Sequence, residues 1–112
     1  MKDDDRRAIA AEFRRLVNMA PLELERWLDS QSSKRVGQKP ESGGESTGHR
    51  SGRRIVAIKR TKVNDRSDDD LRHMRKVNGY IRRHLAQRPS GDITDTPWRA
   101  SLKNWGHDPC KD

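Results

Sequence analysis

The chain has 112 residues, enough for one domain, and its 29% apolar and 38% charged content leaves little surface to bury, so any core must be small. No apolar run approaches the roughly 20 residues that cross a bilayer. The start Met1-Lys2-Asp3-Asp4-Asp5 is too acidic for a secretory signal, and the single cysteine, Cys110, excludes an internal disulfide, so the cytoplasm is the expected location.

Net charge is +8, concentrated in the middle of the chain. Residues 1–30 carry six basic and seven acidic side chains, net −1, and residues 31–66 carry ten and three, net +7. Residues 67–88 carry six and three, net +3, and residues 89–112 three and four, net −1. Near-neutral ends around a basic centre point to a localised anion-binding surface.

The first helix is expected over residues 4–19, where Ile9, Phe13, Leu16 and Val17 share one face and three aspartates favour the N-terminus. Pro21 suits the first position of a second helix reaching about Ser30, with Leu24, Trp27 and Leu28 as its apolar stripe. A tight connection at Asn18–Ala20 suggests that these two helices pair. Residues 31–48 lack an apolar period and are rich in Gly, Ser and Lys, which predicts a long, mobile loop within the single domain.

A third helix is expected from His49 to Lys62, with Ile55, Val56 and Ile58 on one side and Arg50, Arg53, Arg54 and Arg60 on the other. No acidic residue occurs from Ser46 through Asn64. Ser67 caps a fourth helix that ends before Pro89, with Asp70 as its capping-box partner. Leu71, Met74, Asn78, Ile81 and Leu85 form its buried stripe, while Arg72, Lys76 and Arg83 form a basic stripe read as uncompensated. A fifth helix starts at Thr96-Pro97 and stops at Gly106, and no segment alternates as a strand does. The expected architecture is an all-α bundle of four or five helices.

Four stretches, NMAPLELERWL (18–28), ESTGHRSGRRIVAI (45–58), HMRKVNGYIRRHLAQRP (73–89) and SLKNWGHDP (101–109), resemble a family of small basic microbial proteins of unknown function, often labelled DNA-binding. The resemblance implies no enzyme activity, cofactor or catalytic residue. It also implies a hydroxyl N-cap where this chain has Ala20 and a valine-like residue where it has Asn78.

Several motifs invite chemistry. Gly43-Gly44-Glu45-Ser46-Thr47-Gly48 has the glycine spacing of a phosphate loop, but His49-Arg50 replace the required Lys-Ser/Thr, which argues against a nucleoside triphosphatase. A looser reading has the backbone amides at the start of this third helix, with Arg50, Ser51, Arg53 and Arg54, holding one backbone phosphate, and Ser51 and Gly52 letting the backbone come close. Gly79 would similarly let a phosphate strand or a neighbouring helix approach. His49, His73, His84, His107 and Cys110 lack zinc-module spacing, so no metal site is expected. Asp68-Asp69-Asp70 lack the pattern of a calcium loop and read as helix capping. Trp98, Leu102 and Trp105, at helical spacing, read as core against the first and fourth helices rather than as a base-stacking platform, with Asn104, His107 and Asp108 fixing the terminal turn.

The expected function is sequence-tolerant binding of nucleic acid, DNA before RNA, through backbone phosphates in the cytoplasm or on the nucleoid. The expected contacts are Arg50, Ser51, Arg53, Arg54, Arg60, Arg72, Lys76 and Arg83, with no cofactor or catalytic group. The alternatives are a module that docks an acidic protein partner, or an RNA-binding protein.

Overall fold

A computed structural model describes residues 1–36 and 44–111. Among them the chain forms six α-helices and no strand: α1 (Asp3–Leu16), α2 (Pro21–Leu28), α3 (Gln31–Arg35), α4 (Thr47–Arg60), α5 (Asp68–Leu85) and α6 (Pro97–Asn104). The all-helical bundle expected from the sequence is the fold observed.

Capping chemistry sets the helix starts. Ser30, Ser46, Ser67 and Thr96 each accept a hydrogen bond from the backbone N–H three residues on, at 3.0–3.2 Å. At Ser67 the box is complete, because Asp70 accepts from the Ser67 N–H at 3.1 Å. Ala20 has no side-chain oxygen to offer, and only the reciprocal arm survives, from its N–H to Glu23 at 3.1 Å.

Two of these caps correct the long loop expected over 31–48. Residues 31–35 are helical because Ser30 caps them and Ser33 is fully buried. At the other end α4 begins at Thr47, two residues early, because Ser46 and not Gly48 is its cap. The mobility expected of this loop falls largely on residues 37–43, outside the described residues.

The pairing of helices also differs from expectation. α1 packs on α5 and α2 on α4, rather than α1 on α2. α1 and α5 run parallel, since Arg6 reaches Asp68 at one end and Arg82 reaches Glu12 at the other. Ile9 and Phe13 of α1 join Leu71, Met74, Val77 and Ile81 of α5 in one buried cluster with Leu24, Leu28 and Ile55. Parallel pairing brings two positive helix ends together, and the aspartate triplets 3–5 and 68–70 occupy both first turns.

α6 packs mainly against α2, α3 and α4 and less against α5, so the expected contact with the first helix is not its main one. The first helix is met instead by the turn after α6. Gly106, at φ +85°, lies where a Cβ would come 2.8 Å from Val17. Its carbonyl accepts from the Met19 N–H at 3.2 Å, and the His107 Nδ1–H donates to the Leu16 carbonyl at 2.6 Å. Asn18 and Asp108 exchange two hydrogen bonds, at 2.8 and 3.0 Å, while Arg99 grips the Asp108 carboxylate twice at 3.1 Å. The motif SLKNWGHDP is therefore a strap that ties α6 to the α1–α2 connection.

Two asparagines are 1% exposed, and they differ in satisfaction. Asn104 accepts from the Trp27 indole at 2.8 Å and the Ser33 hydroxyl at 2.6 Å, and donates to the Ser33 carbonyl at 3.2 Å. Asn78 donates to the Ile9 carbonyl at 3.1 Å, but its Oδ1 finds no partner among the described residues. Opposite outcomes follow in chemical denaturation. Asn104→Ala should cost on the order of 3 kcal/mol, because it strands two buried donors. Asn78→Leu should raise stability by about 1 kcal/mol, because it removes an unmet acceptor while keeping a side chain of the same branching and heavy-atom count.

Candidate nucleic-acid interface

α4 has an inner and an outer face, and its inner face is wider than its apolar residues indicate. Gly48, Ser51 and Gly52 are buried with Ile55, Val56 and Ile58. A Cβ at Gly52 would come 2.5 Å from the Asn104 carbonyl and 2.7 Å from Leu28, and one at Gly48 3.0 Å from the Trp105 indole nitrogen. These glycines let α4 sit close against α2 and the end of α6. Gly52 is thus not available to a phosphate, and Ser51, 5% exposed, is withdrawn from the surface. The signal was present, since residues 48, 52 and 55 keep the helical period with a Gly-Ser stripe in place of apolar side chains.

Arg50, Arg53, Arg54 and Arg60 all point outward, and all four are exposed. Three of them have acidic neighbours brought from elsewhere in the chain. Arg53 pairs with Glu45, Arg60 with Glu25 at 2.7 Å, and Arg54 approaches Asp70 at 3.9 Å. On α5, Arg72 pairs with Asp69, which corrects the reading of its stripe as uncompensated. Such exposed pairs are weak, contributing about 0–1 kcal/mol each, and a phosphate can compete for the same guanidinium. Among the described residues Arg50, Lys76 and Arg83 make no ion pair. At Gly79 the neighbours of a Cβ would be the guanidinium groups of Arg83, at 3.1 Å, and Arg82, at 3.8 Å, so among the described residues no other helix packs there.

The two helices meet at a polar contact. Ser51 Oγ and His73 Nε2 are in hydrogen-bond contact at 3.0 Å. Burial pushes the His73 pKa down to about 4, and the positive charges of Arg54 and Lys76 push in the same direction. Arg54 comes from α4 and Lys76 from α5, so cations from both helices converge on one half-buried imidazole. Asp69 and Asp70 border this place at the N-terminal end of α5, and the basic stripe runs from Lys76 to Arg83 away from them.

Other basic residues of the central segment serve the fold. Lys59 Nζ donates to the carbonyls of Val17 at 3.3 Å and Met19 at 3.0 Å, and burial lowers its pKa. Arg66 Nε donates to the Ile58 carbonyl at 3.2 Å. The histidines are dispersed, each with its own surroundings. The His49 ring bonds to the Leu28 carbonyl at 2.6 Å and contacts Glu45, while His84 stacks between Tyr80 and Trp98.

Fold and site together define a small all-helical domain with a basic face built by two helices. The family model described as "Protein of unknown function (DUF3140)" matches residues 12–103, and the chain belongs to that family. No curated protein and no solved structure matches it. The matched stretch runs from within α1 to near the end of α6 and so includes the whole basic face.

The depressed His73 pKa sets a pH dependence. Between about pH 6.5 and pH 4 the unfolded chain takes up a proton that the folded chain refuses, so stability present above this window falls as pH falls through it. His73→Gln keeps an acceptor for Ser51 and removes the titration. Melting temperatures at pH 7.5 and about pH 5 should therefore differ less in this variant than in the parent. An equal drop in both proteins would contradict the assignment.

Proposed function

We propose that this chain binds double-stranded nucleic acid, DNA in preference to RNA, through backbone phosphates and with little dependence on base sequence. The seat is the α4–α5 face. The observation that carries this reading is that α4 and α5, joined at the 3.0 Å Ser51–His73 contact, both carry exposed cations, Arg50 and Arg54 on one and Lys76 and Arg83 on the other. Arg50, Lys76 and Arg83 make no ion pair among the described residues, Asp70 offsets Arg54 only from 3.9 Å, and Arg72 adds to the field although it pairs with Asp69. A phosphate placed there is attracted by several cations at once, and flexible Arg and Lys side chains can follow a duplex backbone. Arg53 and Arg60, tied to Glu45 and Glu25, contribute less. Phosphate contacts need only positive charge within reach, which this face supplies, and the binding is therefore assigned to phosphates. In a cell such a protein belongs in the cytoplasm, on the nucleoid.

Titration of a labelled duplex of about 20–30 base pairs at several salt concentrations tests this. With roughly five phosphates neutralised, log affinity should fall against log salt with a slope near −4.5. Changing Arg50, Arg54 and Lys76 together to Ala should reduce the slope by about 3, whereas changing Arg53 and Arg60 should reduce it by less than about 2. Absence of binding at about 50 mM salt would overturn the reading and leave an acidic protein as the leading partner.

A further inference from the structure

The basic stripe of α5 leads to a second feature, a cleft of about 880 Å³ between α3 and α6. This lies within the range of about 300–1,000 Å³ typical of small-molecule sites. Its walls include Trp27, His84, Trp98, Arg35, Lys103 and Thr96. The whole chain has five aromatic residues, and two of its three tryptophans border this one cleft.

Trp98 is held in place before anything binds. Its indole N–H donates to the His84 carbonyl at 2.8 Å. Its ring continues a stack that runs from Trp105 to Tyr80 at 4.1 Å, Tyr80 to His84 at 5.2 Å and His84 to Trp98 at 5.9 Å, with interplanar angles of 15° or less. Trp27 is fixed by its bond to Asn104. Both indoles already attract cations, with Lys103 Nζ 4.0 Å from the Trp27 ring centroid and the Arg88 guanidinium 5.7 Å from that of Trp98.

Lys103 and Arg35 make no ion pair among the described residues, and burial holds the Lys103 pKa below its usual value. Asp95 is the acidic residue on the wall. Fixed aromatic rings beside flexible, unpaired cations suit a ligand with a planar ring and a phosphate. Lys103 can swing from the Trp27 face to the phosphate while the ring takes its place. The position of the cleft fits the rest of the face. From Arg72 to Arg83 α5 rises about 16 Å, and Arg88 then carries the positive charge to Trp98.

We propose that the α3–α6 cleft receives an unpaired nucleotide of the bound nucleic acid, so that the protein prefers duplexes with a single-stranded end. This rests on the nucleic-acid reading above and adds to it the kind of substrate. The test compares a blunt duplex of about 20 base pairs with the same duplex carrying ~4 unpaired nucleotides at one end. The parent protein should bind the second roughly tenfold more tightly. Lys103→Ala combined with Arg35→Ala should abolish that preference while leaving blunt-duplex affinity nearly unchanged. Trp98→Phe, which keeps a ring in the cleft, should retain part of it.

Equal affinity for the two duplexes, with both bound, would overturn this inference and leave the phosphate reading standing. A preference that survives in the Lys103/Arg35 variant would overturn the cleft as its source. Failure to bind either duplex would overturn both readings.

Discussion

The Asn104 amide is surrounded by three elements that come from distant parts of the chain. Trp27 at the end of α2 and Ser33 in α3 both donate to its oxygen, and its nitrogen returns a bond to the Ser33 carbonyl. Its own backbone carbonyl lies against Gly52, where any side chain would collide with it. One buried residue therefore sets the approach of α2, α3 and α4 to the end of α6. In a buried place unmet polar groups are costly, so the arrangement is specific as well as stabilising. Moving α2 or α3 would strand a donor, and a side chain at Gly52 would push α4 off the Asn104 carbonyl.

That constraint positions the surface described above. With Gly48 and Gly52 turned inward, the arginines of α4 have to face solvent, and Ser51 is carried to His73 on α5. The strap from Gly106 to Asp108 fixes the other side of the core by holding the α1–α2 connection, with help from Lys59. Much of the chain's polar chemistry is spent inside. A chain with so little apolar material uses asparagine, serine, lysine and histidine to locate its helices, and the arginines of α4 are left exposed on its outer side.

Charge on that face is more moderated than its sequence implies. The run from Ser46 to Asn64 contains no acid, yet Glu25, Glu45 and Asp70 reach three of its arginines in the fold. Local spacing finds i,i+3 and i,i+4 partners, such as Asp69 for Arg72, and cannot find these. Nor can it find the gathering of Arg54 and Lys76 around His73, which depends on how α4 lies against α5. The aromatic residues divide in the same way. Leu102 and Trp105 are core as their period suggests, and Trp98, on the same stripe, is half-buried against that core while also bordering the cleft.

The sequence by itself determined five of the six described helices, the caps at Ser67 and Thr96, the buried stripes of α1, α4 and α5 and the basic centre, but not the short α3 or the Ser46 start of α4. These depend on the 3.6-residue period and on side chains reaching backbone groups three or four residues away. Only the tertiary structure decided that α1 pairs with α5 and α2 with α4, that Ser51 and Gly52 are interior, that SLKNWGHDP is a strap, and which cations have carboxylate neighbours. Each of these joins groups far apart in the chain, such as Trp27 with Asn104 or Asn18 with Asp108. Contacts of that kind follow from the simultaneous satisfaction of buried polar groups and close packing, which no local pattern encodes.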